Sequence, residues 1–80
     1  MKLLIFVTES DLADPTVDSL VEQGFRVTRL ASTGGFLRKG NTTLLVGIEE
    51  SLIDRAIGIV KKTAPGALSI TLDLDRYERI

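Results

Sequence analysis

The pattern of apolar and polar positions along the chain predicts four strands. Residues 3–8 are apolar on both alternating faces, which is typical of a strand in the middle of a sheet that is covered on both sides. Residues 25–31 and 42–48 form two further runs that are rich in β-formers. Residues 68–75 alternate between aliphatic and polar side chains, which predicts a half-buried strand.

A helix is predicted between the first two strands. Asp14-Pro15 fits an N-cap followed by proline at the first helical position, although Asp11 could begin the helix earlier. Gly24 suits the left-handed residue that ends a helix. The apolar stripe consists of Val17, Leu20 and Val21.

A second helix is predicted before the last strand. Ser51, with Asp54 three residues further on, approximates a capping box at its start. Pro65-Gly66 then ends it. The predicted buried stripe consists of Ile53, Ala56, Ile57 and Val60.

The element order is therefore βαββαβ. Right-handed crossovers turn this order into a four-stranded antiparallel sheet with both helices on one face, which is the ferredoxin-like sandwich of the α+β class. Two helices can cover only one face, yet the first and third strands, expected at the centre, are apolar on both. The same face of a neighbouring subunit is the simplest cover, so the sequence predicts an oligomer.

Composition limits the function further. The 80 residues allow one domain, spanning residues 1–80, and they contain no cysteine that could form disulfides or thiolate metal sites. A net charge of −1 provides no global positive field for a nucleic acid. The apolar run at residues 3–7 is too short to span a bilayer. We expect a cytoplasmic protein that binds neither membranes nor nucleic acids.

Side chains for catalysis are scarce. Without histidine or cysteine, the usual nucleophile and acid–base pairs cannot form, so we expect no catalytic residues. Asp73 and Asp75 share a strand face and could hold a hard cation weakly, but a solvated strand face is the more common explanation. We therefore expect neither a metal nor a cofactor.

The connection between the second and third strands is the candidate binding segment. Gly34 and Gly35 would let a ligand approach main-chain N–H groups, and Phe36 and Leu37 could enclose a flat ligand such as a purine. A long hairpin loop whose Phe36 packs on protein explains the same residues. Arg26 and Thr28, on one face of the second strand, could bind phosphate oxygens or simply face solvent. Thr42 and Thr43 indicate only ordinary β-propensity.

Residues 24–43 read GFRVTRLASTGGFLRKGNTT. This stretch resembles, without a gap, the signature N-F-R-x-T-x-L-[AS]-[ST]-[ST]-G-G-F-L-[RK]-x-G-N-[TS]-T of the PII-like cyclic-di-AMP receptor proteins. Residues 46–50 also fit the family, and residues 72–80 are similar to its ending, L-P-V-D-x-F-x-R-F.

The resemblance implies a PII-like homotrimer that transduces a signal to an unidentified protein target. It also implies that cyclic-di-AMP or a related adenine nucleotide binds in clefts between subunits. By the family pattern, the ligand-binding residues are Gly24, Arg26, Thr28, Thr33, Gly34, Gly35, Phe36, Leu37, Asn41 and Gly47.

Two departures from the family pattern bear on the ligand and on signalling. Gly24 stands where the family usually has an asparagine that contacts the base. The family's long loop after the second helix is replaced by residues 63–66. A minimal receptor, a relative that binds a different adenine nucleotide and a structural or adaptor trimer therefore remain open. An RNA-binding domain of the same element order is disfavoured, because the third strand carries no aromatic side chain.

Overall fold

The computed structural model describes residues 1–31, 40–76, 78 and 80, with the backbone alone at Ala31. The described chain forms an eight-residue strand, a long helix, two further strands, a short 3₁₀ turn, a second helix and a last strand. These elements are β1 (Lys2–Glu9), α1 (Ser10–Glu22), β2 (Val27–Ala31), β3 (Asn41–Ile48), the 3₁₀ turn Glu50–Leu52, α2 (Ile53–Thr63) and β4 (Leu68–Asp73).

The strands form one sheet in the order β2-β3-β1-β4, and each neighbouring pair is antiparallel. This is the ferredoxin-like arrangement, so the predicted fold class is confirmed, with β1 and β3 at the centre as expected. Leu4 lies opposite Val46 and Phe6 lies opposite Leu44 in the β1–β3 pairing. All four side chains are fully buried beneath the helices and form the centre of the core.

The helices pack on this face through small and aliphatic side chains. Leu20 of α1 and Ala56 and Val60 of α2 belong to the same buried cluster as the sheet residues. Where the two helices meet, Thr16 Oγ1 lies 2.9 Å from Thr63 Oγ1, and Thr63 donates a hydrogen bond to the carbonyl of Ile59. The hydroxyl of the buried Thr16 and that of the partly buried Thr63 therefore both have partners, as polar groups in or near a core require.

The start of α1 differs from the prediction at Asp14. The helix begins at Ser10, directly after β1, and Pro15 lies inside it. The cause is a tertiary contact, because the Ser10 N–H donates to the carbonyl of Gly40 at 2.7 Å and the Ser10 hydroxyl lies 2.8 Å from that of Thr42. These contacts fix the first turn against β3, and Pro15 removes only one hydrogen bond from the helix.

The end of α1 agrees with the prediction at Gly24. Gly24 has a φ of 92°, and its N–H donates to the carbonyl of Val21 at 2.9 Å. The Phe25 N–H donates to the carbonyl of Leu20 at 3.0 Å, which completes a Schellman motif. Because Phe25 belongs to this motif, β2 begins at Val27 rather than at the predicted Phe25.

Two details of helical packing were predicted wrongly. Val21 is 55% exposed, and Ala13 and Thr16 take the buried positions beside Leu20. In α2, Ser51 does not form the predicted cap, because it lies inside the 3₁₀ turn and neither helical segment has a side-chain cap. The predicted stripe of α2 is confirmed, since Ala56 and Val60 are buried and Ile53 and Ile57 pack against the core.

The last strand is not half-buried within one chain. All six residues of β4 are exposed, including Leu68 at 57%, Ile70 at 39% and Leu72 at 47%. These three aliphatic side chains lie opposite Val7, Ile5 and Leu3 of β1, on the sheet face that the helices do not cover. The alternation in the sequence therefore does not correspond to burial within the single chain.

Candidate functional site

The sheet face turned away from the helices is here called the open face. Its members follow from the pairing register, in which Val7, Thr43 and Leu30 form one cross-strand row. Across the four strands the open face carries Leu3, Ile5, Val7, Glu9, Thr28, Leu30, Asn41, Thr43, Leu45, Gly47, Leu68, Ile70 and Leu72. Every predicted binding residue that lies in a described strand is on this face.

The open face divides into two zones. The side chains from β1 and β4 are aliphatic apart from Glu9, which lies opposite Asn41, and we call the aliphatic ones the aliphatic zone. The side chains from β2 and β3 include Thr28, Asn41 and Thr43, and Arg26 lies just before β2. We call these four residues the polar strip. Arg26 is exposed, whereas its neighbours Phe25 and Val27 pack in or against the core, so the Arg26 side chain points away from the core.

Three predicted site residues meet at one end of the sheet. Gly24, Arg26 and Gly47 line one cavity of about 330 Å³. The other lining residues are Met1, Phe25, Ile48, Glu49 and Leu52. No pattern in the sequence points to Glu49 or Leu52 as site residues, because only the fold brings the start of the 3₁₀ turn next to the end of α1.

Asn41 lies at the opposite end of the sheet. It lines a second cavity of about 430 Å³ together with Val7, Thr8, Glu9, Leu12, Pro65, Gly66, Ala67 and Leu68. Asn41 and Gly47 are the first and the seventh residues of β3, and about 3.3 Å per residue separates them by roughly 20 Å. One small ligand cannot bridge that distance within a single chain, so Asn41 is separate from the group of Gly24, Arg26 and Gly47, and Thr28 lines neither cavity.

The remaining predicted site residues are Thr33, Gly34, Gly35, Phe36 and Leu37, and they lie outside the described residues. The residues on either side of the undescribed segment 32–39, Ala31 and Gly40, are both at the Asn41 end of the sheet. Ala31 pairs with Thr42, and Gly40 immediately precedes β3. Gly40 has a φ of 92°, a backbone conformation that favours glycine, and its carbonyl holds the start of α1.

Arg26, just before β2, and Arg29, within β2, differ in their partners. Arg29 projects to the helix side of the sheet and donates to the carboxylate of Asp14. None of the ion pairs among the described residues involves Arg26. Arg26 is thus the cation of the polar strip that can meet an anionic ligand, and guanidinium groups suit phosphate oxygens.

Asp73, one of the two carboxylates considered above as a weak cation site, forms an ion pair within the chain. The carboxylate of Asp73 accepts a hydrogen bond from the ammonium of Lys2, which lies across the strand pair. This hydrogen bond and the accompanying charge attraction lower the pKa of Asp73 and raise the pKa of Lys2. Within the described part of the chain, no cluster of carboxylates suited to a metal ion is found.

Membrane insertion through a helix finds no support in the described residues. Neither α1 nor α2 has the length and apolar character that crossing a bilayer requires.

Comparison with known proteins identifies the family. A sequence model of the protein family described as "Cyclic-di-AMP receptor" matches residues 1–72. The chain is also similar to a functionally unknown protein from Pediococcus pentosaceus, whose crystal structure superposes with a TM-score of 0.86 at 33% sequence identity. That similarity covers 99% of this chain and 96% of the other. The chain belongs to the cyclic-di-AMP receptor family.

Proposed function

We propose that this chain is a non-catalytic PII-like signal-transduction protein that binds cyclic-di-AMP in clefts between the subunits of a homotrimer. Residues 1–80 form its single domain, and the cytoplasm is its compartment. Family membership supports the ligand class. The observation that supports binding between subunits is the separation of the Arg26 group from the Asn41 group at opposite ends of β3.

The aliphatic zone supports assembly. Leu68, Ile70 and Leu72 are between 39% and 57% exposed in one chain, and they adjoin the aliphatic side chains of β1. Burial of apolar surface is the dominant favourable contribution in most protein–protein association. An 80-residue chain has a small core of its own, so the burial of this zone against other copies adds needed stability.

A ring of copies would also complete the site. When the end of one sheet that bears Arg26 meets the end of the next that bears Asn41, the two groups come together across the contact. A head-to-tail contact of this kind closes into a ring and repeats once per subunit. The homotrimer that the family resemblance implies would therefore contain three equivalent clefts.

The chemistry of the two groups suits a cyclic dinucleotide. Arg26 and the hydroxyl of Thr28 would bind phosphate oxygens, while the Asn41 amide can donate to and accept from a base edge. Gly24 and Gly47 present backbone without a side chain to block close approach. A ligand with two bases and two phosphates is long enough to contact both subunits at one cleft. We propose that the five undescribed site residues, Thr33 to Leu37, close around it.

A different adenine nucleotide is the second candidate, and Gly24 favours it. The family asparagine at this position would contact a base, and glycine cannot make that contact. The short connection between α2 and β4, residues 64–67, favours a third candidate, a structural or adaptor trimer with no ligand.

Isothermal titration and sedimentation test the proposal together. We expect a trimer that binds cyclic-di-AMP at one site per subunit, and chromatography should recover the ligand unchanged because the protein does not turn it over. No heat at about 100 μM protein, against a Kd expected well below that value, would reject this ligand. Titration with ATP, ADP, AMP and other cyclic dinucleotides would then identify a different nucleotide. Binding of none of them would favour the structural or adaptor trimer.

A further inference from the structure

Thr42 and Thr43 are adjacent buried threonines with opposite surroundings. Thr42 faces the helices, is 5% exposed, and its hydroxyl lies 2.8 Å from the hydroxyl of Ser10. Thr43 faces the other way, is 6% exposed, and its hydroxyl has no hydrogen-bond partner among the described residues. Thr43 Oγ1 is the one buried side-chain oxygen in the described part of the chain with this property.

A buried hydroxyl without a partner is unfavourable, because it has lost its hydrogen bonds to water and gained none in return. The cross-strand neighbours of Thr43 on the open face are Val7 and Leu30, whose side chains are aliphatic. Valine has nearly the same shape as threonine and would pack there without this penalty. The hydroxyl therefore indicates a partner that is not among the described residues of the chain.

The two sources for that partner are a neighbouring subunit and the ligand. A neighbouring copy that packs through the aliphatic zone brings valine, leucine and isoleucine side chains, which have no hydrogen-bonding groups. Thr43 belongs to the polar strip and lies two residues from Asn41 on the same strand face, at a spacing of about 7 Å. A polar ligand that contacts Asn41 is therefore within reach of Thr43.

We propose that Thr43 is a further ligand-binding residue of the intersubunit cleft, and that its hydroxyl donates a hydrogen bond to a phosphate oxygen of the bound nucleotide. A phosphate oxygen fits because bonds to charged acceptors are the stronger ones. Such a bond offsets the free-energy cost of displacing the atoms that cover the Thr43 hydroxyl before the ligand binds. This assignment rests on the proposed function and adds a contact on β3 to those on β2.

The test compares Thr43→Val with Thr42→Val. Without ligand, T43V should melt no lower than the wild type, since it removes a hydroxyl that has no partner, whereas T42V should melt lower because it breaks the contact with Ser10. In titration with cyclic-di-AMP, T43V should raise Kd about tenfold or more, while T42V leaves it within about threefold. Thr43→Ser, which keeps the hydroxyl, should bind within about threefold of the wild type.

Three results would overturn the assignment. Wild-type affinity in T43V would show that the ligand does not contact the hydroxyl. Unfolding of T43V, or a fall in its melting temperature without ligand, would show that the protein itself supplies the partner. Loss of affinity in T43S equal to that in T43V would assign the effect to shape. If the wild type binds no nucleotide, both the proposed function and the assignment of Thr43 fail. This outcome differs from the three above because it is seen in the wild type alone.

Discussion

Asn41 and Gly47 lie on the same strand and the same sheet face, yet they line different cavities at its two ends. A nucleotide that contacts one of them cannot reach the other within the same chain, because roughly 20 Å of extended backbone separates them. The described candidate residues that line cavities therefore fall into two groups in space, with Gly24, Arg26 and Gly47 in one and Asn41 in the other.

Arg26 should contribute more to ligand binding than Arg29. Arg26→Ala removes the cation of the polar strip and should raise the Kd for cyclic-di-AMP at least about tenfold, as expected for a charge-assisted hydrogen bond to phosphate. Arg29→Ala is the matched control, since Arg29 is paired with Asp14 on the helix side. Calorimetric titration of both variants measures the difference. Equal affinity in the two variants would exclude Arg26 as a phosphate ligand.

Ile70 should be required for assembly. Ile70→Asp places a charge in the aliphatic zone, and burial of that charge in a subunit contact is strongly unfavourable. Sedimentation should then show monomers, and cyclic-di-AMP binding should be lost with the cleft. Ser69→Asp, one residue earlier and on the other face of β4, should remain a trimer. A trimeric I70D would show that the open face is not the subunit interface.

The departure from the family pattern at Gly24, where the family usually has asparagine, can be tested directly. Its φ of 92° disfavours most side chains, but asparagine adopts such conformations more readily than other residues. Gly24→Asn should therefore fold, and it should lower the Kd for cyclic-di-AMP about threefold to tenfold if the added amide contacts the base. Gly24→Ala, which adds strain without an amide, should cost about 1 kcal/mol in the free energy of unfolding and bring no gain in affinity.

An unchanged Kd in G24N, with a normal melting curve, would mean that no base lies beside this position. A different nucleotide that the natural chain binds more tightly than cyclic-di-AMP, with no gain in affinity in G24N, would be the adenine ligand of the natural chain.

The Lys2–Asp73 pair should make stability depend on pH in a defined direction. Because the pKa of Asp73 is lowered in the folded state, its contribution is present above the ordinary carboxyl value of 3.8 and is lost as the pH falls through the folded value. Asp73→Asn should therefore lower the melting temperature slightly at neutral pH and have no effect in acid. Both side chains are accessible to solvent, so high salt should also remove the difference. A difference that persists in acid would assign the effect to something other than this ion pair.

Several features of the fold follow from the sequence because they depend on local patterns. Residues 3–8 are apolar on both faces, and that pattern alone predicts the central position of β1, which the strand order confirms. Gly24 ends α1 as predicted, because the left-handed turn there favours glycine. The buried stripe of α2 follows from helical spacing alone.

The features that were missed depend on contacts between distant residues. The start of α1 is set by the carbonyl of Gly40, which lies thirty residues away in the sequence. The burial predicted for Leu68, Ile70 and Leu72 is absent from the single chain, because the alternation of a strand does not show which surface covers its aliphatic side. Thr42 and Thr43 look alike in the sequence, and only the pairing register of β3 shows that one has a partner and the other has none among the described residues.

The central claim is that each binding site combines the Arg26 group of one subunit with the Asn41 group of the next. It is tested most directly by mixing two defective subunits, Arg26→Ala and Asn41→Ala, each of which should bind cyclic-di-AMP weakly when alone. Equal amounts refolded together should form trimers in which about one quarter of the clefts receive an intact half from each type. Titration of the mixture should then recover tight binding at about one quarter of the sites. No recovery in fully mixed trimers would contradict the claim and place each site within a single chain.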